Sequence, residues 1–239
     1  MAASAEILLV LALVALYLQD SAVLLHFDEV LVERAGRGWR VSTGSGFEAR
    51  GRFLSLPNPL LPMRTRLRAS WLHPSGAQVD TPADLVRFGR LLLPVRFGAT
   101  VVGIVLLGVV PWLLLGPRDP VLLLAALCGT WLLVLAMAGW IALQRAALGL
   151  PLRKVLALAL EGLLCPPHAI NLYRRLCALR GFRGDPLAFA AAHLDDAARR
   201  RLRAEVASRL DLFALADDAS GGRSARLAEA RARAGDLLR

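Results

Sequence analysis

The sequence predicts a mainly α-helical membrane protein: three transmembrane helices, a small β-rich cytoplasmic segment between the first and second, and amphipathic helices in the C-terminal region. Three observations predict it. Residues 97–115 and 121–143 are uncharged apolar runs joined only by Gly116, Pro117, Arg118, Asp119 and Pro120. A hydrocarbon core about 30 Å thick takes roughly 20 apolar residues as a helix, and so short a joint makes the two an antiparallel hairpin over residues 97–143. A third apolar stretch occupies residues 7–25, so that residues 1–25 read as a first span. Finally, charge is distributed unevenly around these runs. Residues 26–96 carry 11 basic and 6 acidic side chains and residues 144–239 carry 17 and 10, whereas the joint at 116–120 has one of each. Basic loops stay in the cytoplasm, so three spans with the N-terminus outside and the C-terminus cytoplasmic satisfy both the span count and the charge.

Composition narrows the class further. At 239 residues and 56% apolar the chain has the length of one soluble domain, but its apolar residues are clustered as in a membrane protein. Its basic residues are 28 Arg and a single Lys, a balance that suggests a GC-rich bacterial genome and hence a bacterial cytoplasmic (inner) membrane. The formal net charge of +10 is assigned to membrane orientation. Nucleic acid is disfavoured as a partner, because no stacking aromatics or recognition motif accompany the arginines. Cys128, Cys165 and Cys177 show neither a disulfide framework nor the doubled pairs of a zinc site, and no metal or cofactor is expected.

Taken in order, the first apolar stretch is interrupted by Gln19, Asp20 and Ser21, so that it reads as one span with a polar insert in preference to a shorter helix emerging at Tyr17, and Asp20 is a candidate polar site or an interfacial partner of basic loops. Residues 26–75 read as short strands over 29–34, 39–43, 47–56 and 65–72, punctuated by glycines and by Pro57, Pro59 and Pro62. Thr81, Pro82 and Asp84 start a helix, and residues 81–96 form an amphipathic juxtamembrane element, helical to residue 93. Leu85, Phe88, Leu91 and Leu92 lie on one face of it, and Arg87, Arg90 and Arg96 are candidates for contact with anionic lipid. In the hairpin, Trp112 and Trp140 sit where interfacial indoles are expected. Ala99 with Gly103 and Ala125 with Gly129 offer close packing within the hairpin, or self-association into a homo-oligomer.

Residues 151–180 read as helix, hinge and helix, either lying on the membrane or re-entrant. Lys154 and Glu161 lie on the first arm, Cys165, Pro166 and Pro167 form the break, and His168, Asn171, Arg174 and Arg175 lie on the second. Cys165 to His168 resembles the Cys-Pro-His metal site of heavy-metal pumps, but the second proline alters the spacing and no ATP-binding machinery accompanies it, so the resemblance implies nothing further. Arg174 and Arg175 are expected at lipid phosphates. Residues 185–239 form a cytoplasmic helical tail: Asp185 and Pro186 start a helix that runs to about residue 216, with Asp195–Arg199, Asp196–Arg200 and Glu205–Arg209 as pairs four apart. Gly221 and Gly222 are a linker to the last segment.

Neither apolar run of the hairpin carries an ionisable group, which moves any chemistry to Asp20, Glu161, Cys165, His168 and Asn171. The leading expectation is a non-enzymatic scaffold or docking subunit that binds the bilayer, anionic lipid and a protein partner. A small transport component using those five residues comes second, and a membrane enzyme acting on lipid head groups third.

Overall fold

The computed structural model describes residues 5–36, 38–45, 47–49, 52–55, 64–73 and 79–217, together with Arg231, Ala232, Gly235 and Asp236. Pro57, Pro59, Pro62 and the Gly221–Gly222 linker lie outside the described residues. The chain divides into two compact units: Met1–Ala22 with Pro57–Met63 and Pro82–Arg180, and Val23–Leu56 with Arg64–Thr81 and Gly181–Arg239.

The first unit is helical. Helix α1 (Ala5–Ser21) buries only Tyr17 and Ser21, and Ile7, Leu8, Leu9 and Leu11 face outward. It stops four residues before the end of the expected first span. Gln19, Asp20 and Ser21 end the apolar run, and Val23–His26 pairs as a strand instead. Helix α2 (Pro82–Leu91) buries Leu85 and Phe88 and leaves Arg87 and Arg90 exposed. It ends two residues before the expected boundary, because Leu92 breaks the helix (φ −90, ψ 7) and a new one starts at Leu93 with Pro94 in its first turn, where a missing N–H goes unused.

Two helices are long and apolar enough to cross a membrane, Leu93–Leu115 and Pro120–Leu143. The first comprises α3 (Leu93–Ile104), a π-helical stretch (Val105–Val109) and α4 (Val110–Leu115). The Val110 N–H reaches back to the Val105 carbonyl. A widened turn beside Pro111 accommodates its missing donor and its ring. The second, α5 (Pro120–Leu143), starts on Asp119, whose carboxylate accepts from the N–H of Val121 at 2.8 Å and of Leu122 at 3.2 Å, with Pro120 at the first position. The two pack most closely where a Cβ on Gly98 would lie 2.8 Å from Met137 Cγ and Sδ. Gly103 instead faces Ile170, and Gly129 faces open space, so the Ala125–Gly129 pair does not pack the hairpin.

After a short α6 (Arg145–Leu148), α7 (Leu152–Leu164) runs back along α5: Gly162 faces Val134, and the Trp131 indole N–H donates to the Leu163 carbonyl at 3.2 Å. Cys165, in a non-helical conformation (φ −135, ψ 83), ends it. Helices α8 (Pro166–Ile170) and α9 (Leu172–Arg180) return, and the Arg180 guanidinium lies 4.8 Å above the Phe88 ring.

The second unit holds two three-stranded antiparallel sheets, β1 (Val23–His26), β5 (Arg52–Ser55), β4 (Glu48–Ala49) in one and β3 (Gly38–Ser42), β2 (Glu29–Ala35), β6 (Arg66–Ser70) in the other. The strand expected over 47–56 is therefore two, β4 and β5, paired with each other. Strand β2 is central and buries Val30, Leu31, Val32 and Glu33. Glu33 faces Arg40 on one neighbour and Arg66 on the other, and Arg66 Nε lies 2.8 Å from its carboxylate. The helix expected from 185 is also two, α10 (Pro186–His193) and α11 (Asp196–Asp217). Asp185 caps the first by accepting from the Leu187 N–H at 2.9 Å. Leu194 is extended (ψ 151), and Asp195 accepts from the Ala198 N–H at 2.7 Å in capping α11.

Candidate functional site

The sequence nominates Asp20, Glu161, Cys165, His168 and Asn171, and the first unit brings three of them into one polar cluster where the end of α1 meets α7, α8 and α9. Arg175 is its centre. Its Nε lies 3.1 and 3.3 Å from the two carboxylate oxygens of Asp20, its Nη2 lies 2.5 Å from Oδ1, and its Nη1 pairs with Glu161. The planar guanidinium presents separate N–H edges to the two carboxylates in this way.

Asn171 sits beside this group at the junction of α8 and α9 and is fully buried. Its Nδ2 donates to the Tyr17 carbonyl at 3.2 Å, and its Oδ1 accepts from Arg174 Nη1 at 3.0 Å and from Ser21 Oγ at 3.4 Å. Ser21 Oγ also lies 2.7 Å from the Tyr17 carbonyl. One amide, with both donor and acceptor, thus ties the last turn of α1, through the Tyr17 carbonyl and the Ser21 hydroxyl, to the α8–α9 junction and Arg174. Two carboxylates and two guanidiniums meet here, and the formal charge of the cluster closes on itself.

The remaining nominated residues stay apart from it. Cys165 ends α7, and its carbonyl accepts from the His168 N–H at 2.9 Å, but no hydrogen bond joins its thiol to the His168 ring. His168 Nδ1 is buried without a hydrogen-bond partner. Among the described residues no group of three or more His, Cys, Asp or Glu side chains comes together. Arg174 and Arg175, expected at lipid phosphates, bond to Asn171 and to Asp20 and Glu161, with both arginines partly exposed. Trp140, expected as an interfacial indole, donates to the Leu91 carbonyl at 3.1 Å, the acceptor freed where α2 breaks.

Sequence reading missed Ser21, Tyr17 and the roles of both arginines. The one signal available was charge: Asp20 and Glu161 are the acidic residues that interrupt apolar stretches, and each needs a cation within reach. No known protein family matches this chain, and neither does any curated protein or solved structure.

The second unit holds a buried arginine. Arg209, on α11, is 4% exposed, and its Nη1 lies 3.4, 3.4 and 3.2 Å from the carbonyls of His26, Phe27 and Glu29. Its guanidinium carbon is 3.8 Å from the Phe53 ring centroid. Burial pulls its pKa down to about 10 against the opposing charges of Glu205, Asp28 and Glu29, so it remains a cation at neutral pH. Glu205, expected to pair with Arg209, accepts from Thr43 Oγ1 at 2.5 Å, and Asp196 pairs with Arg199 one position earlier than expected.

Proposed function

We propose that this chain is a non-enzymatic integral protein of the bacterial inner membrane, in which the first unit is the anchor and the second carries a surface that docks a protein partner. The observation that supports this most is the closed polar cluster. The acids that sequence reading singled out for chemistry are both engaged by Arg175, so neither stands ready as a proton carrier or general base. Exposed Arg200, Arg201 and Arg203 on α11 favour a partner with an acidic face.

Three spans, with the N-terminus outside and the C-terminus cytoplasmic, remain the topology that best fits the charge distribution. Helix α1 is the third apolar helix, and its 17 residues reach about 25 Å at 1.5 Å per residue, short of a full hydrocarbon core. Helices α7 to α9 act as a re-entrant pair. Exposed Leu156, Leu160 and Leu164 suit lipid, and Val134, against which Gly162 packs, lies about 13 Å along α5 from Leu143 at that rise. Broken backbone at membrane depth is tolerated where protein covers it, as Asn171 is covered here.

A transport component is the second reading, favoured by the meeting of Asp20, Glu161 and Asn171 beside a broken helix. Asp20→Asn, Glu161→Gln and His168→Ala, assayed singly at matched protein abundance, separate the two. A docking protein keeps its partner in a gentle-detergent pull-down with all three, while Arg200→Glu/Arg201→Glu/Arg203→Glu loses it. A transporter fails with the single neutral substitutions and tolerates the charge reversal.

A further inference from the structure

Arg118 in the hairpin turn apart, the basic residues of the first unit fall into two sets. Arg174 and Arg175 are engaged in the polar cluster, and Arg180 lies over Phe88. Arg87, Arg90, Arg96, Arg145, Arg153 and Lys154 are all exposed, and among the described residues none of the six pairs with a carboxylate. They come from α2, the first turn of α3, α6 and the first turn of α7.

Two contacts gather them at one end of the hairpin. The Trp140 indole bonds the Leu91 carbonyl, and Met137 lies against Gly98, so the end of α5 that leads into Arg145 stands level with the α2–α3 junction that carries Arg90 and Arg96. Exposed Leu93, Phe97 and Leu143 occupy the same end. Asp84, in the first turn of α2, is the carboxylate beside them on that helix. The opposite end of the hairpin carries Arg118 and Asp119, and the latter is engaged as the cap of α5.

We infer that these six cations form a collar that binds the phosphate headgroups of anionic phospholipids. An array of unpaired cations bordering exposed apolar side chains fits a lipid, which offers phosphate and acyl chain together, better than it fits an acidic protein surface, which offers only charge. The collar differs from the set the sequence nominates: Arg174 and Arg175 leave it, and Arg145, Arg153 and Lys154 join. It rests on the membrane reading of the hairpin and not on the docking reading, so its loss leaves partner pull-down unchanged.

The test uses the full chain, purified in neutral detergent and mixed with equal amounts of phosphatidylglycerol and phosphatidylcholine, with retained lipid counted by native mass spectrometry. The expected result is retention of phosphatidylglycerol over phosphatidylcholine by the natural sequence, falling roughly fivefold for each collar cation removed and vanishing when all six are changed to Gln. Arg34→Gln/Arg52→Gln/Arg64→Gln, in the second unit, keeps the preference. Should the sixfold variant fail to fold, the pair Arg90→Gln/Arg145→Gln carries the same expectation at two steps. Equal retention of both lipids by the natural sequence overturns the inference, as does a preference that survives the collar substitutions or is lost equally in the control. Suppression of phosphatidylglycerol retention by millimolar inorganic phosphate overturns it in favour of a free-phosphate site.

Discussion

Each unit of this protein is organised around one arginine, and the two arginines are satisfied in opposite ways. Arg175 in the helical unit answers two carboxylates, on α1 and on α7. Arg209 in the β-containing unit answers three backbone carbonyls around the β1–β2 turn and an aromatic face. Among apolar helices backbone groups are already paired within each helix, so a partly buried cation finds side-chain anions instead. Where strands turn, carbonyls are left over, and a guanidinium with five donors collects them. The lesson is that local backbone satisfaction decides whether an arginine withdrawn from solvent is an ion-pair partner or a carbonyl clamp.

The comparison breaks most readily at Arg175. Arg175→Gln leaves Asp20 and Glu161 without a counter-charge and should cost about 2.5 kcal/mol, below the range for breaking a fully buried pair, because the Arg175 side chain is 25% and that of Glu161 51% exposed. Thermal unfolding in nanodiscs reads this out, and Asp20→Asn/Glu161→Gln/Arg175→Gln should restore most of the loss. Arg209→Met removes the donor from three carbonyls but strands no opposite charge, so its expected cost is smaller, about 2 kcal/mol, seen in denaturant unfolding followed at the second unit's tryptophans. Arg209→Lys should recover only part, since one ammonium does not reproduce the fork.

Smaller effects test the frame around these centres. Gly98→Ala pushes on Met137, a flexible side chain able to give way, and should cost about 1 kcal/mol, relieved by Met137→Ala in the same chain. Asp119→Ala removes the cap of α5 at a cost of about 1 kcal/mol. The smallest effect is a pH dependence at Asp196, whose carboxyl the Arg199 hydrogen bond and charge hold below its ordinary 3.8. A lowered carboxyl stabilises the fold above its unfolded value, and that contribution is lost as pH falls through the lower, folded value. Helicity of the natural sequence should therefore decline more than that of Asp196→Asn between pH 4 and pH 2, about the range of the linkage.

What the sequence made legible follows from the range of the interactions involved. The two long apolar helices, the Thr81–Pro82 and Asp185–Pro186 helix starts, and strands β2, β3 and β6 are local signals, carried by spacing and by caps. Strand β1 was hidden because Val23, Leu24 and Leu25 continue an apolar run whose helical part ends at Ser21, and only pairing with β5 makes them a strand. The break between α10 and α11 was hidden because Leu194 keeps the apolar spacing while Asp195 turns to cap the next helix. Asp20, Glu161 and Asn171 were legible as polar interruptions. Their meeting through Arg175 was not, because Asp20 and Arg175 are 155 positions apart, and Arg175 reads locally as one more surface cation. Arg209 was hidden in the same way by a plausible partner, Glu205, one turn away.

The central claim is that the hairpin is an oriented membrane anchor, with the Arg118 turn on one side and α11 on the other. It is tested most directly by labelling single cysteines with a membrane-impermeant maleimide, in a chain whose Cys128, Cys165 and Cys177 are changed to Ser. Arg118→Cys should react from outside intact spheroplasts, and Arg203→Cys only after the membrane is opened. Reaction of both from outside, of neither, or of Arg203→Cys alone would contradict the account.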